Sequence, residues 1–393
     1  MAKSLVFTRS KSLSHLVEKG IGGRHSDGGL TVAVFGGTGQ IGRNLLTRMG
    51  REGVQGVVPH RISDKRVIHF KPMADLGQFN FISNYDIRND EATEQIVKHS
   101  DVVVNCVGRT FPTRNFSLDE VHVTWPYKLS KLCKKYSKDR LVHLSAYGAS
   151  EKSDSNFLKL KAVGEKVVRN NFPESVILRP ARVFGRTDDY LTLMRFLPHI
   201  WGNLFVGKRW SDKHPILKIP VAVGDIGQAV LNACRMPKIS GQTFELFGSE
   251  AYYLEDLHEF VYDIMNKEGL EEDHERQIRH VPIGLLKAYA RAWELFWFMG
   301  EPPLDRVLIE LNHLSEVPTG LPGMQELGIK EQGKMSEIVL DILRPFRPHK
   351  QYYETMEEVV LPTPVDVEEY KKSLDKSNLK DEGIVGDLNK TYL

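Results

Sequence analysis

Three glycines at three-residue intervals, Gly36, Gly39 and Gly42, follow the apolar run TVAVF and open an amphipathic segment in TVAVFGGTGQIGRNLL. Strand, glycine turn and helix in that order make a cradle for phosphate groups. The first glycine permits the tight turn, and the second lets backbone N–H groups approach a pyrophosphate. The third lets the helix pack closely on the strand. Thr38, Gln40 and Ile41 belong to the same turn and join the expected cofactor-binding set. The start of the helix adds partial positive charge beneath the phosphates.

A second feature selects between nucleotides. An Asp or Glu roughly twenty residues past such a loop accepts a hydrogen bond from the ribose 2′-OH of NAD. Here the second apolar run ends VVPHRISDKR, with Arg61 in that place and Asp64 later in the loop. A guanidinium suits the additional 2′-phosphate through charge-assisted, often bidentate hydrogen bonds, so the expected cofactor is NADPH, one per chain. Asp86, in NYDIRND, is placed either to accept from the adenine amine or to cap a turn or helix; both readings stand. Val107 and Gly108, in NCVG, end the fourth run, where small residues expose backbone to a cofactor.

These residues need a scaffold, and the chain alternates between two kinds of segment. TVAVFG, VQGVVPH, FNFIS, DVVVNCVG, RLVHLSA and SVILRP are apolar and rich in β-branched residues, as in a sheet covered on both faces. Helical periodicity fills the intervals Gln40 to Met49, Asp90 to His99, Leu118 to Tyr136 and Asn156 to Asn170. The pattern predicts an α/β fold with a doubly wound parallel sheet of Rossmann type. It loosens after Gly185, returns with a helix over Asp225 to Cys234 and the strand TFELFG, and becomes mainly helical from Ala251. The expected organisation is a transit segment over 1–29, a nucleotide-binding domain over 30–250, a smaller helical lobe over 251–344 and an extended tail over 345–393.

Bulk properties exclude several function classes. A net charge of +2 gives no global attraction to nucleic acid, and no partner of that kind is expected. Three unevenly spaced cysteines argue for a reducing compartment, and fourteen scattered histidines show no ligand spacing, so no metal site is expected. No apolar run reaches about 18 residues, the length a membrane span requires. The first 29 residues carry Lys3, Arg9, Lys11, Lys19 and Arg24, many serines and no acid before Glu18. Such a basic, amphipathic, acid-poor composition predicts a mitochondrial transit segment.

GGTGQIG, NCVG, LSA, KAVGEK and RPARVFGR together resemble the extended short-chain dehydrogenase/reductase superfamily over about residues 30 to 250. VVPHR, FKPMADLGQ, NCVGR, KAVGEKVVR, FPESVILRPARVFGR and GLPGMQELGI are similar to one atypical branch, an accessory subunit of mitochondrial NADH:ubiquinone oxidoreductase (complex I). That resemblance implies a peripheral protein on the matrix side of the inner membrane, with other complex I subunits as partners and a tightly held NADPH that does not turn over. The superfamily's active site uses an Asn, a Ser, a Tyr and a Lys. The Tyr phenol, with an ordinary pKa of about 10, exchanges a proton with the substrate once the Lys ammonium has lowered that value. Ser145 matches the Ser and Lys161 the Lys, while His122 falls near the Asn. Phe157, four residues before Lys161 and on the same helix face, occupies the Tyr place and has no proton to give. The expectation is therefore a non-catalytic chain with a degenerate site of His122, Ser145, Phe157 and Lys161. Two alternatives remain open: an NADP-dependent reductase or nucleotide-sugar epimerase with an unusual proton donor, and a sensor whose NADPH occupancy regulates a partner.

Partner surfaces are expected in two places. IGLLKAYARAWELFWFMG, from Ile283, sets Leu286, Tyr289, Trp293 and Phe296 at helical spacing against a stripe of Lys287, Arg291 and Glu294. Trp297, Phe298 and Met299 crowd its end. It reads either as a helix packed on its own lobe or as a surface for another subunit or the lipid interface. The charged tail from Pro345 reads as a segment that orders on a partner.

Overall fold

The computed structural model describes residues 29–186, 190–191, 204–208, 215–266, 278–296, 305–343 and 362–378. The expected transit segment, apart from Gly29, lies outside these residues, as do Trp297, Phe298 and Met299. The chain forms two compact units that interleave in sequence.

The first unit holds the chain up to Arg179, then Val223–Glu245 and Pro322–Lys330. Strands β1 (Thr31–Phe35), β2 (Gln55–Pro59), β3 (Phe79–Ile82), β4 (Val102–Asn105), β5 (Arg140–Leu144), β6 (Val176–Pro180) and β7 (Thr243–Leu246) form one sheet in the order β7-β6-β5-β4-β1-β2-β3. The pairs β1–β2, β2–β3, β1–β4, β4–β5 and β5–β6 are parallel. Parallel neighbours require crossover helices, supplied by α1 (Gln40–Arg51), α2 (Asp90–Lys98), α3 (Trp125–Lys135), α4 (Asn156–Asn171) and α5 (Val223–Arg235). The order reverses between β1 and β4, and ligands of open α/β sheets bind at the carboxyl ends of strands beside such a switch point.

The uniformly apolar strand runs are explained by burial on both faces: Val32, Ala33, Val34, Val102, Val103, Val104 and Val142 are wholly inaccessible. Against them pack Trp125, Leu129 and Cys133 of α3 and Ile96 and Val97 of α2. Gly227 of α5 is a glycine because a Cβ there would stand 3.0 Å from the Asn44 carbonyl carbon and 3.1 Å from the Leu45 nitrogen. The two helices α1 and α5 thus meet backbone to backbone. Arg140, fully buried at the start of β5, donates to the carbonyls of Ala233 (2.7 Å) and Pro237 (3.3 Å) and to that of Met236. It satisfies carbonyls that the end of α5 leaves open.

One buried polar chain crosses the sheet. Asn105 Oδ1 accepts from Trp125 Nε1 (3.1 Å) and from the Val107 N–H (3.2 Å). That fixes the amide, so Nδ2 donates to His143 Nδ1 at 3.0 Å, its neighbour in register on β5. The bond leaves the neutral imidazole protonated at Nε2. Burial first, then the nearby Lys161 and His122 charges, push the His143 pKa down to about 3.

The second unit takes Pro180–Ala222, Leu246–Leu321 and the chain from Glu331. Its described strands pair in twos: Val183–Phe184 with Val221–Ala222, Leu217–Lys218 with Tyr252–Tyr253, and Leu204–Lys208 with Ile278–Pro282. Helices Leu254–Asn266, Ile283–Phe296, Arg306–Asn312, Met335–Leu343 and Val367–Asn378 make up the helical C-terminal region. Lys218 is fully buried; its ammonium donates to the carbonyls of Leu311 (2.7 Å) and Leu314 (2.5 Å) and faces Glu316 at 3.5 Å. Glu316 in turn accepts from the backbone N–H groups of Arg182 (3.2 Å) and Ile219 (2.9 Å). A buried charge this well enclosed fixes three separate chain segments in one arrangement.

Two expectations are corrected here, the domain boundary and the tail, and of the two readings of the Ile283 helix the one packed on its own lobe is seen. The boundary at residue 250 is not a clean cut, because 180–222 join the second unit and 322–330 return to the first. The return is held by Asn232 Nδ2 donating to the Leu327 carbonyl (2.7 Å) and Glu245 N–H donating to that of Pro322 (2.9 Å), contacts that composition cannot reveal. The tail is not wholly extended: Val367–Asn378 is helical, and Tyr370 packs with Leu217, Ile219 and Ala251. Its hydroxyl donates to the Pro215 carbonyl at 2.8 Å. The Ile283 helix lays Ile283, Leu286, Tyr289 and Ala290 on Leu308 and Ile309. Lys287 and Glu294 bind Glu310 (2.8 Å) and Arg306 (2.9 Å) rather than forming a solvated stripe. Leu285, 64% exposed, is the large apolar side chain left open among the described residues of that helix. Among the described residues no helix is long and apolar enough to cross a membrane.

Burial of His143 makes the first unit acid-sensitive. Its folded pKa lies below the ordinary 6.5, so the unfolded chain binds the extra proton between pH 6.5 and about 3. Stability is therefore intact above 6.5 and falls as pH drops through that window. His143→Asn keeps an acceptor near Nδ1 for Asn105 and cannot ionise. Melting temperatures at pH 7 and pH 4.5 should differ less in this variant than in wild type, carboxylate effects being common to both.

Candidate functional site

The glycine turn lies at the switch point. Gly36 has φ +82°, a left-handed conformation that favours glycine. A Cβ there would also stand 2.8 Å from the Cys106 carbonyl carbon and oxygen and 2.9 Å from the Val107 nitrogen. A Cβ on Gly42 would reach 2.4 Å from the Gly36 oxygen. Both positions are therefore closed to side chains by the protein itself. Gly39 differs: its φ is −75°, and a Cβ would meet only the Gly36 oxygen, at 3.4 Å. Packing does not require a glycine there, which leaves the approach of a ligand as the physical reason for one. Gly39 is the N-cap of α1, makes no side-chain cap bond, and no acid stands in the first turn. The helix thus starts with N–H groups available to an anion.

In front of the turn lies a cavity of about 200 Å3. Of the expected cofactor residues, Gly36, Thr38, Gly39, Arg61, Val107 and Gly108 line it. Gln40, Ile41 and Gly42 sit in the first turn of α1 just behind, and Lys161 lies behind Gly108, whose Cβ would be 3.5 Å from Nζ. Asp86 is not in the wall, although its neighbours Tyr85 and Ile87 are. Its carboxylate accepts from the Arg88 N–H at 2.9 Å, the turn-capping alternative.

Sequence reading overlooked the aromatic and basic side of this cavity. Arg61 lies 5.8 Å and Arg88 4.2 Å from the centre of the Phe116 ring, so two guanidinium groups share one aromatic platform. Arg109, also in the wall, lies 4.8 Å over Phe111. Arg88 stands two residues past Asp86 and could have been noted from spacing alone. Phe116 carried no signal, because its loop between β4 and α3 shows no periodicity.

The expected degenerate site assembles as one cluster. Helix α3 is preceded by a π-helical turn, Glu120–Thr124, a local widening frequent at functional sites. It presents His122 toward α4, where a Cβ on Gly164 would strike the His122 carbonyl oxygen at 2.1 Å. The His122 ring meets Phe157 edge to face, with centroids 5.1 Å apart, and Lys161 Nζ lies 5.8 Å from the Phe157 centroid. His122, Ser145, Phe157 and Lys161 are all buried. Lys161 donates to the Leu144 carbonyl at 3.0 Å. Burial pulls its pKa down to about 8, partly countered by the Glu165 carboxylate. His122 Nε2 lies 2.7 Å from the Arg109 carbonyl, which can only accept, so Nε2 carries the proton and Nδ1 is bare. Burial, then the Lys161 charge, hold the His122 pKa down at about 3. His122 Nδ1 and Ser145 Oγ find no hydrogen-bond partner among the described residues. Only a ligand donor such as a hydroxyl can satisfy the bare Nδ1, and with Phe157 in the tyrosine's place the cluster holds no phenol.

Comparisons with known proteins agree with this architecture. Residues 32–217 match the model of the NAD dependent epimerase/dehydratase family. The chain is 33% identical over 353 residues to NADH dehydrogenase (ubiquinone) 1 alpha subcomplex subunit 9, mitochondrial, of Mus musculus, covering 87% of this chain and 86% of that one. It is 39% identical over 337 residues to the mitochondrial NADH-ubiquinone oxidoreductase 40 kDa subunit of Neurospora crassa, covering 84% and 83%. Among solved structures, the Citrobacter sp. triphenylmethane reductase complexed with NADP(H) superposes with a TM-score of 0.57 over 80% of this chain and all of that one. At 12% identity this shows a shared fold. With a switch-point glycine cradle on a seven-stranded sheet and this extent of identity, the chain belongs to the alpha subcomplex subunit 9 family of mitochondrial complex I, an atypical branch of the extended short-chain dehydrogenases/reductases.

Proposed function

We propose that the chain is a non-catalytic accessory subunit of complex I on the matrix side of the inner membrane, and that it holds one structural NADPH. The observation carrying this reading is the pairing of a complete nucleotide cradle with Phe157 in the place of the proton donor. Gly36, Thr38 and Gly39 with the start of α1 would hold the pyrophosphate, Arg61 the 2′-phosphate, Val107 and Gly108 the nicotinamide half. Lys161 would bind the nicotinamide ribose from behind Gly108. NADPH supplies a hydride when bound, but a carbonyl accepting it also needs a proton. Phe157 has none, and His122 is a neutral imidazole whose only N–H is engaged by Arg109. The reductase or epimerase reading therefore lacks the tyrosine acid that the superfamily uses. A nucleotide that binds the folded chain alone stabilises it by mass action, and a fold stabilised in that way is what a subunit contributes to assembly.

The glycine geometry separates binding from folding. Gly39→Val should leave the melting temperature of the nucleotide-free chain near wild type, abolish NADPH binding, and lower the amount of assembled complex I on native gels. Gly42→Val should fail to fold, since its side chain would strike the Gly36 carbonyl. Assembly at wild-type levels in the Gly39→Val strain would contradict the structural role of the nucleotide.

Arg61→Ala should weaken NADPH by about 1.5 kcal/mol, the lower end for a charged hydrogen bond because Arg88 shares the Phe116 platform. NADH affinity should be unchanged, and calorimetric titration of both nucleotides checks it. Phe157→Tyr restores a phenol four residues before Lys161, yet should still oxidise NADPH at background rate over a panel of aldehydes, ketones and nucleotide sugars. Positioning of a substrate can be worth roughly 7 to 11 kcal/mol, more than one acid group supplies. Multiple turnovers by the wild-type chain would overturn the non-catalytic reading.

A further inference from the structure

The cluster around Phe157 contains a bare acceptor that the fold does not use. His122 is 2% exposed, its Nε2–H is committed to the Arg109 carbonyl, and its Nδ1 lone pair finds no donor among the described residues. A buried acceptor left unsatisfied forfeits its hydration without return, and native folds seldom keep one without a role. Its position argues for a ligand. A Cβ on Gly108, in the cavity wall, would lie 3.7 Å from His122 Cε1, the carbon between the two ring nitrogens, and 3.5 Å from Lys161 Nζ. The imidazole that carries the bare acceptor and an ammonium donor therefore both border one point of the wall, and the Phe157 ring meets the imidazole edge to face. A vicinal diol matches that pair, since each hydroxyl both donates and accepts.

We propose that His122 is a binding residue whose Nδ1 accepts a hydrogen bond from a hydroxyl of the nicotinamide ribose while Lys161 donates to the diol. The inference rests on the NADPH reading above and adds a residue to it. It accounts for a neutral histidine beside Lys161: a protonated imidazole would lose its acceptor and repel the ammonium. It also accounts for the π-helical turn, which carries His122 while its carbonyl stays packed against Gly164.

Two substitutions divide the ring's functions. His122→Asn keeps an acceptor near Nδ1 and gives up the Arg109 contact; His122→Gln keeps a donor near Nε2 and gives up the acceptor. NADPH and adenosine 2′,5′-bisphosphate, which lacks the nicotinamide ribose, are titrated against the full-length wild type and both variants. His122→Gln should weaken NADPH about 3- to 10-fold, the scale of one hydrogen bond, and leave the bisphosphate unchanged. His122→Asn should retain most NADPH affinity. The opposite order, equal losses for both ligands, or no loss in either variant would assign His122 a purely structural role. Should the variants not fold, the 15N resonance of His122 Nδ1 in wild type decides: it should move upfield on adding NADPH and stay put with the bisphosphate, and no movement overturns the proposal. A wild type that binds both ligands equally tightly removes this contact and leaves the NADPH reading standing. A wild type that binds neither removes both.

Discussion

The contact between Gly36 and the backbone of Cys106 and Val107 is the constraint from which the site follows. The chain leaves β1 and β4 in neighbouring positions, and the two exits run so close that any side chain on Gly36 would collide with the Cys106 carbonyl. That closeness brings the start of α1, the Val107–Gly108 segment and the π-helical turn around one cavity. Gly42 against Gly36, and Gly227 against Asn44 and Leu45, repeat the device at the next two layers, so α1 is held between strand ends and α5 by backbone contacts. Positions fixed in this way tolerate little substitution, whereas Gly39, which faces open space, is glycine for a different reason.

Much of this architecture was legible because it rests on local rules. The apolar runs and the helical intervals are period signals, and five of the predicted helices appear within a few residues of their expected ends. The glycine triplet identified the turn, and the four-residue step from Phe157 to Lys161 identified a shared helix face. What escaped depends on distant pairing. Phe116 becomes an aromatic platform only because Arg61 and Arg88 arrive from β2 and β3. Asp86 could serve adenine or a turn on spacing alone; the Arg88 N–H occupies its Oδ1 in the turn. Tyr370 reads as part of a charged tail until Leu217, Ile219 and Ala251 provide a socket for its ring.

The buried imidazoles show how a site can keep its polarity after losing an acid. His143 and His122 are both neutral, each with one nitrogen assigned by a fixed partner: Asn105 in one case, the Arg109 carbonyl in the other. Their tautomers are consequences of the backbone and of an amide whose orientation Trp125 sets. Lys161 is then the one basic group of the cluster whose charge survives at neutral pH, lowered though its pKa is. Such a cluster offers a ligand one ammonium and one bare imidazole acceptor.

The interleaving of the two units has a consequence for the order in which the chain can mature. The strands that bound the glycine cradle lie within the first 105 residues, but α5, against which α1 packs, ends at Arg235, and β7, which completes the sheet, ends at Leu246. A polypeptide that emerges or is threaded N-terminus first presents the cradle long before its supports. Over that interval the Asn44–Leu45 stretch of α1 has no α5 to cover it. Closing the first unit then requires bringing together segments separated by the whole of 180–222, a long-range step of the kind that slows folding. The interval between translation of the cradle and arrival of α5 is when such a chain most depends on chaperones.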